Sequence, residues 1–370
     1  MKVRLGNYIN EYSVRNKNDE NIPVYSVTNT KGFCRDYFGK EVASKDKTTY
    51  KIVPRGYFAF NPSRINVGSV DWQRNEDRVI VSPLYNVFSV SPQLDQQYLY
   101  YYLKSDFVLQ RIRAVATGSV RDNLKLAMLY EFPIRLPSIE RQKEMAERLD
   151  KVKNVIALRE QEYQRLDELI KARFVEMFGN EKKLMTMNEV CAIITDGTHQ
   201  PPKFSDAGIP FIFVSNITGD KITYDAEKFI DQDTYDVLIK RTPIEIGDIL
   251  LSTVGSYGHP AVVKTDKRFL FQRHIAYLKP KKKLVDSDYL HGAILSPDAQ
   301  RQIEEGVKGI AQKTLNLSEI KKMKIPVPSL DRQKEFAVFV LQVDKSKAVI
   351  QKSLEEAQLL FDSLMQQYFG

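Results

Sequence analysis

Histidine and cysteine, the side chains most typical of zinc sites and thiol chemistry, are few in this 370-residue chain, and they are not grouped. The histidines are His199, His259, His274 and His291, and none of them has the short, regular spacing of a zinc site. Two cysteines, Cys34 and Cys191, cannot form a disulfide framework and are expected to be reduced thiols. The sequence therefore predicts no metal ligands, and it places the histidines at the surface or in polar loops.

Two segments are similar to loops with known chemistry, but both lack essential residues. Segment 200–204 reads Gln-Pro-Pro-Lys-Phe and is similar to the Asn/Asp-Pro-Pro-aromatic loop that holds the target amine in amino-methyltransferases. Here Gln and Lys stand at the acceptor and stacking positions, and no Gly-rich cofactor loop lies nearby. Segment 32–40 has the wrong spacing for a phosphate-binding loop, and Glu41 stands where Ser or Thr would ligate magnesium. We therefore expect no catalytic residue in this chain.

Polar, basic loops interleaved with aromatic residues are better candidates for a functional site. Arginine binds guanine or phosphate and asparagine binds adenine edges, so these loops suit DNA. The net charge of +8 also favours a polyanionic partner. For each loop alone, a turn whose polar groups only face water is the alternative. The predicted DNA-binding residues are Asn61, Arg64, Asn66, Ser69 and Arg121 in the first half of the chain, and Thr198, His199, Lys203, Ser256, Tyr257, His259 and Lys313 in the second.

The elements that must position these loops occur twice in the sequence. Segment 137–144, Pro-Ser-Ile-Glu-Arg-Gln-Lys-Glu, recurs at 328–335 as Pro-Ser-Leu-Asp-Arg-Gln-Lys-Glu, an offset of 191 residues (137 to 328). The same offset carries Phe178 onto Phe369. Nearer the N-terminus the offset is 187 (22 to 209), which indicates a four-residue insertion or deletion between the copies. The chain is therefore expected to alternate globular domain, helix, globular domain, helix.

Each copy ends in a segment that predicts a long coiled-coil helix. Residues 138–178 contain no Gly or Pro, and apolar residues repeat there in steps of four and three. A helix of about 40 residues is about 60 Å long. The predicted coiled-coil seam consists of Met145, Leu149, Val152, Ile156, Tyr163, Leu166 and Ile170 in the first helix, and Phe336, Val340, Val343, Ile350, Leu354, Phe361 and Leu364 in the second.

The seam is interrupted by three cationic residues, Arg159, Arg173 and Lys347, whose apolar stems can lie along it. A pseudo-two-fold relation between the copies favours an antiparallel helix pair. The alternative is that each helix packs on its own globular half.

The globular halves mix short β-rich runs with turn signals. Strands are predicted at 24–27, 56–60 and 77–81, and at 211–215, 248–252 and 261–263. Helical stretches are predicted at about 95–116 and 286–307. The expected domains are 1–136, the helix 137–180, the second domain 181–327 and the helix 328–370. The longest apolar runs are too short to span a membrane and the N-terminus lacks a signal-peptide core, so a cytoplasmic protein is expected.

Five motifs then carry a resemblance to a known family. They are Leu-Pro-Ser-Ile-Glu-Arg-Gln at 136–142, Val-Pro-Ser-Leu-Asp-Arg-Gln at 327–333, Leu-Asp-Glu-Leu-Ile-Lys-Ala-Arg-Phe at 166–174, Asn-Pro-Ser-Arg-Ile-Asn-Val-Gly-Ser at 61–69 and Thr-Asp-Gly-Thr-His-Gln-Pro-Pro at 195–202. Over essentially its whole length the chain resembles the specificity subunit of type I restriction–modification systems. The resemblance implies an α+β fold, with two α/β target-recognition domains separated by two long antiparallel helices that form a coiled coil.

The resemblance also implies partners. Two methyltransferase subunits would dock on this scaffold and use S-adenosylmethionine to methylate adenine N6 in each half of a bipartite, asymmetric DNA site. A restriction subunit that uses ATP and magnesium is a further partner in the family. The chain itself would bind no cofactor. A free-standing DNA-binding regulator with a coiled-coil arm is the alternative, and an enzyme acting alone would need a catalytic motif that is not found.

Overall fold

The structure is a computed structural model that describes residues 2–35, 46–115, 123–309 and 313–370. The chain forms two compact units. The first unit consists of Met1–Arg159 and Lys352–Gly370, and the second unit consists of Glu160–Gln351. Each unit therefore contains one globular domain together with parts of both long helices.

The globular domain of the first unit combines short strands with three helices in its described residues. The strands are β1 (Lys2–Arg4), β2 (Ile9–Glu11), β3 (Ser26–Thr28), β4 (Gly32–Cys34), β5 (Lys51–Pro54), β6 (Phe58–Phe60), β7 (Val70–Trp72), β8 (Arg78–Val81), β9 (Asn86–Val90) and β10 (Pro133–Arg135). The helices are α1 (Gln96–Lys104), α2 (Asp106–Val115) and α3 (Leu126–Tyr130).

A four-stranded antiparallel sheet with the order β2-β9-β6-β7 is the centre of this domain. Phe58 and Phe60 of β6 pack with Phe88 of β9 on the face that α1 and α2 cover. Ala59 and Val87 face a second apolar cluster on the opposite side. Both faces are covered, which explains why β6 is apolar at every position rather than alternating.

The globular domain of the second unit has the same plan. The strands are β11 (Leu184–Thr186), β12 (Cys191–Asp196), β13 (Ile209–Ile212), β14 (Ile217–Thr218), β15 (Lys221–Ile222), β16 (Phe229–Ile230), β17 (Ile249–Ser252), β18 (Pro260–Val262), β19 (Leu270–Phe271), β20 (Ile275–Pro280), β21 (Val307–Lys308), β22 (Thr314–Leu315) and β23 (Lys324–Pro326). The helices are α5 (Met187–Val190), α6 (Gln232–Leu238), α7 (Ser287–Leu295), α8 (Pro297–Gly306) and α9 (Leu317–Lys322).

The central antiparallel sheet of this domain has the order β12-β20-β17-β18, which matches the order of the first domain strand for strand. Along β20, Ala276 and Leu278 face the helices, whereas Ile275 and Tyr277 face the opposite cluster. The duplication in the sequence is therefore a duplication of topology, and the predicted α+β class with a tandem repeat is confirmed.

The predicted strands and helices differ from the structure in detail. Each predicted strand overlaps a strand of the sheets, with ends that differ by at most three residues. The helical stretches predicted at about 95–116 and 286–307 are helical in the structure, but each consists of two helices separated by a serine in extended conformation. Ser105 and Ser296 each cap the following helix: Ser105 Oγ accepts from Val108 N at 3.4 Å and Ser296 Oγ from Ala299 N at 3.3 Å.

Two 40-residue helices, α4 (Ile139–Phe178) and α10 (Leu330–Phe369), complete the chain. In the first unit, Met145 and Leu149 near the start of α4 share an apolar cluster with Leu364 and Phe369 near the end of α10. The beginning of one helix therefore lies beside the end of the other.

In the second unit the relation is reciprocal. Phe174 and Phe178 at the end of α4 contact Phe336 near the start of α10, with ring centroids 5.4 and 5.8 Å apart. The pairing within each unit is antiparallel, as the fold prediction required. No helix in the described ranges is both long enough and apolar enough to cross a membrane.

The helix ends also belong to the cores of the globular domains. The Phe369 ring lies 5.1 Å from Tyr98 of α1, and the Phe174 ring lies 5.6 Å from Tyr289 of α7. The end of each long helix therefore packs on the globular domain of the other copy, whereas its start lies in the core of its own copy's domain, as Met145 and Phe336 do. The alternative in which each helix packs on its own globular half holds only for the helix starts, where it coexists with the helix pair.

Each residue of the predicted seam is buried or half-buried in the unit to which it belongs. The cationic interruption at Lys347 is accommodated by two partners in the second unit. Its Nζ lies 2.5 Å from Asp167 Oδ1 and 4.7 Å from the centroid of the Tyr163 ring. The ammonium is therefore both paired and stacked where an apolar residue would otherwise stand.

Candidate nucleic-acid interface

The candidate loop of the first domain leaves β6 and reverses within nine residues. Asn61 Oδ1 accepts hydrogen bonds from the backbone N of Ser63 at 3.1 Å and from its Oγ at 2.9 Å. A short 3-10 helix, Ile65–Val67, follows, and Gly68 has a φ of +83°, which favours glycine. This local bonding makes the loop a compact, preformed projection at the end of a buried strand.

The predicted residues of this loop are not equivalent. Arg64 is exposed and Asn66 is half-buried, so both are accessible to a ligand. Asn61 uses its carbonyl oxygen to hold the loop together. Ser69 is only 3% exposed, and this burial does not fit a direct DNA contact. Arg121 lies outside the described residues.

A hydrogen bond at equivalent positions ties this loop to the segment before the long helix in both domains. Leu124 N donates to Pro62 O at 3.1 Å, and Leu315 N donates to Thr253 O at 2.8 Å. The two pairs are related by the 191-residue offset. The loops at 61–69 and 252–259 therefore occupy equivalent positions in the two domains, although their side chains differ.

Four segments of the second domain meet at one edge of the sheet formed by β12, β20 and β17. Arg273 N donates to Thr198 O at 3.2 Å, and Thr253 N donates to His274 O at 3.0 Å. These bonds connect segments 197–203, 272–274 and 252–259, and the Leu315 bond adds 313–315. The structure thus brings Thr198, the loop after β17 and the vicinity of Lys313 to the same edge.

Tyr257 and Lys313 form part of a polar cluster on this edge. The Tyr257 hydroxyl lies 2.9 Å from Glu304 Oε1, to which it donates, and Lys313 Nζ lies 3.4 Å from the same hydroxyl. Ser256 and His259 are exposed. His259 Nδ1 lies 3.8 Å from Asp220 Oδ1. The tyrosine is therefore held in place, while the serine and histidine beside it are accessible.

Thr198, His199 and Lys203 line an open cleft of about 660 Å³, whose opposite wall is α6 and the turn that follows it. Arg241 projects from that turn and donates to Asp196 Oδ1. His199 Nε2 lies 2.9 Å from Asp196 Oδ2, a distance that fits donation from Nε2–H. Asp196 thus bridges a predicted residue and an arginine from the far wall.

Arg241, Asp196 and Arg273 are not among the residues predicted from the sequence. Asp196 belongs to the quoted motif at 195–202, so its position was visible, but its arginine partner lies 45 residues further along the chain. Arg273 is exposed at the turn between β19 and β20. An exposed arginine in a short turn beside a motif loop is the signal that could have indicated it.

Burial, followed by the charge of Arg273, lowers the pKa of the His274 imidazole below its usual value. This shift favours the neutral imidazole, which offers hydrogen bonds rather than charge. Within the described residues, the histidines, cysteines and carboxylates do not come together in a group of three that could hold a metal ion.

This duplicated α+β chain matches the family described as Type I restriction modification DNA specificity domain, over residues 2–168 and 180–359. The match covers most of both copies, and the chain belongs to this family, as the sequence motifs indicated.

Known relatives support the same assignment. The chain is 29% identical over 170 residues to the type I restriction enzyme EcoBI specificity subunit of Escherichia coli, an alignment that covers 46% of this chain and 36% of that one. It is 20% identical over 296 residues to the MjaVIII specificity subunit of Methanocaldococcus jannaschii, covering 72% and 67% of the two chains. The chain thus spans about a third of the first relative and two thirds of the second.

A solved structure described as the basis of complex assembly and conformational transition of the type I R-M system shares the fold. It covers 100% of this chain and 97% of its own, with a TM-score of 0.60 and 18% sequence identity.

Proposed function

We propose that this chain is the DNA-specificity subunit of a type I restriction–modification complex, and that its two domains read the two halves of a bipartite, asymmetric site. The observation that carries the proposal is that the two domains have the same sheet order but different side chains in equivalent loops. The loops joined by the Leu124 and Leu315 bonds are equivalent in position, but one carries Arg64 and Asn66 where the other carries Gly255 and Tyr257. Two domains that share a fold but differ in their loop side chains favour a DNA site whose two halves differ in sequence.

The chemistry of these loops suits DNA. Cationic side chains supply affinity through phosphates, while arginine, asparagine, serine and histidine offer donors and acceptors to base edges. The candidate contacts are Arg64, Asn66 and Arg121 in the first domain, and Thr198, His199, Lys203, Ser256, Tyr257, His259 and Lys313 in the second. Asn61 supports the loop rather than reading bases.

Two copies of a methyltransferase subunit are the partners that this scaffold would hold. In the first unit, Leu158 of α4 and Leu360 of α10 are 59% and 52% exposed. Their counterparts at the 191-residue offset are Val349 and Leu169 in the second unit, which are 70% and 46% exposed. Each unit therefore exposes apolar side chains at equivalent places on both helices. Repeated apolar positions favour two equivalent docking surfaces and hence two copies of one partner.

The chain would act without chemistry of its own, in the cytoplasm where the DNA is. S-adenosylmethionine would be bound by the methyltransferase subunits, and ATP and magnesium by a restriction subunit if one is present in the complex.

The test combines the purified chain, DNA and S-adenosylmethionine with and without a type I methyltransferase subunit. We expect adenine methylation at one bipartite sequence only when both proteins are present, as measured by sequencing modified bases. Methylation by the chain alone would contradict the proposal. Tight, sequence-specific binding by the chain alone, with no effect of the methyltransferase, would instead favour a free-standing regulator.

A further inference from the structure

In the cleft of the second domain, the guanidinium of Arg241 is hydrogen-bonded to the carboxylate of Asp196. Arg241 is about half-exposed, whereas the Asp196 side chain is only 16% exposed. Asp196 accepts from Arg241 Nη2 through one oxygen and lies 2.9 Å from His199 Nε2 through the other. Arg241 Nη2 also lies 3.4 Å from Thr195 Oγ1. Three groups on or just after β12 therefore position one guanidinium.

The carboxylate that holds Arg241 is itself part of the sheet. Asp196 is the last residue of β12 and pairs with Ala276 of β20. The next residue, Gly197, has no room for a side chain, because a Cβ there would lie 2.2 Å from Phe271 O and 2.5 Å from Gln272 O. The strand end is thus packed tightly against β19 and its turn. Arg241 is oriented by a rigid element and not by a mobile loop.

We propose that Arg241 is a specificity-determining residue that recognises a guanine in the second half-site, with Asp196 as its positioning residue. This inference rests on the proposed function. A planar guanidinium with a fixed orientation matches the O6 and N7 acceptors of guanine in the major groove. Because Asp196 already orients the Arg241 side chain, little conformational entropy is lost when DNA binds.

A phosphate is the less suitable ligand at this position. The charge of Arg241 is partly compensated by Asp196, and Asp233 contributes a second carboxylate to the same cleft. The Asp196 carboxylate bonded to Arg241 and the Asp233 carboxylate on the same wall of the cleft both disfavour a phosphate, whereas a guanine edge is uncharged. The exposed Val237 on the α6 wall adds apolar surface that fits bases better than the backbone. Lys203, on the opposite wall of the cleft, is the residue suited to a phosphate contact.

The test uses the complete complex of this chain with its methyltransferase subunit. Arg241→Lys retains the charge but not the planar fork, and Asp196→Asn retains the shape of the positioning residue but not its charge. Lys203→Ala is the matched control, since it removes a cation from the same cleft. Base modification is sequenced in cells, and the affinity of each complex is measured on a DNA panel at several salt concentrations.

We expect Arg241→Lys to reduce discrimination at one G·C pair of the second half-site by on the order of 10- to 100-fold, with the first half-site unchanged. Asp196→Asn should relax the same position to a smaller extent. Lys203→Ala should weaken binding to all sequences, flatten its salt dependence and leave the recognised sequence unaltered.

Three outcomes would overturn the inference. One is an unchanged recognition sequence in Arg241→Lys. Another is a uniform loss of affinity with a flatter salt dependence, which would make Arg241 a phosphate contact. The last is loss of all methylation in both Arg241→Lys and Asp196→Asn, which would make the pair part of the fold. Methylation of a bipartite site by the unmodified complex tests the proposed function separately.

Discussion

A buried glutamine lies at the junction between each globular domain and its long helix. Gln142 is fully buried, and its Oε1 accepts from Asp95 N at 2.9 Å. Its Nε2 donates to Gln93 O at 3.0 Å and to Pro137 O at 2.9 Å. Gln333 makes the same three bonds one repeat later, with Asp286 N, Leu284 O and Pro328 O at 2.8, 3.0 and 2.9 Å. The glutamine of the repeated Arg-Gln dipeptide is thus explained by its structural role.

Replacement of this amide should destabilise the first unit strongly. Gln142→Leu leaves one buried N–H and two carbonyls without their partner, and each orphaned group costs about 1–3 kcal/mol. We expect a loss of about 3 kcal/mol or more in the free energy of unfolding. Trp72 is the only tryptophan of the chain and lies in this unit, so its fluorescence during urea unfolding provides the measurement.

Gln110→Leu is the matched control, because Gln110 is exposed on α2 and its replacement should change stability by less than about 0.5 kcal/mol. Equal effects of the two substitutions would show that the buried bonds do not hold the junction.

At the scale of elements, the pair formed by α4 and α10 tolerates the buried ammonium of Lys347 because the carboxylate of Asp167 compensates its charge. Burial disfavours the charged form of Lys347, but its hydrogen bond and charge interaction with Asp167 outweigh this and raise the pKa of the ammonium. Asp167 is 41% exposed and can be solvated, whereas Lys347 is 9% exposed. The cost of breaking the pair therefore depends on which partner is removed.

Removal of the carboxylate should be worse than removal of the cation. Asp167→Ala leaves a buried ammonium without its hydrogen-bonded carboxylate, with the Tyr163 ring and the charge of Asp344 as its remaining partners. We expect the substitution to cost about 2 kcal/mol. Lys347→Met fills the seam with an apolar chain and leaves an aspartate that water can reach, so it should be neutral or slightly stabilising. Thermal unfolding of the two variants gives the comparison, and a larger loss for Lys347→Met would contradict this account of the seam.

At the scale of the whole molecule, the repeat predicts how half of the chain behaves alone. In each unit the first turns of one long helix pack against the last turns of the other. In the first unit Met145 and Leu149 pack near Leu364, and in the second unit Phe336 packs on Phe174. A fragment of residues 1–179 contains the start and the end of α4 only. These two ends of one straight helix cannot pack against each other. Two copies of the fragment can supply both by pairing antiparallel.

We expect the fragment 1–179 to be a homodimer in sedimentation experiments and, with the methyltransferase subunit, to direct methylation to a palindromic split site. Leu149→Asp in the fragment should prevent dimerisation, because it places a charge at a fully buried seam position. Glu147→Gln, at an exposed position of the same helix, is the control. A stable folded monomer of the unmodified fragment would refute the prediction.

Some features of this protein are determined by the order and spacing of residues in the sequence. The 191-residue offset, the four-and-three spacing of the seam and the family motifs depend only on which residues follow one another. They were sufficient to predict two α/β domains, two long antiparallel helices and the loops of the candidate site. The serine break between α1 and α2 is also local, because Ser105 acts as an N-cap, but a continuous helical pattern obscured it.

Other features were decided only by the tertiary structure. The burial of Ser69 and the pairing of Arg241 with Asp196 both depend on how distant segments pack on a sheet. Asp196 meets Arg241 because β12 ends where the turn after α6 arrives, and no periodicity in the sequence encodes that meeting. Sequence patterns report which face of a strand or helix is apolar. The positions of polar side chains across a cleft depend on long-range packing, which the sequence does not display.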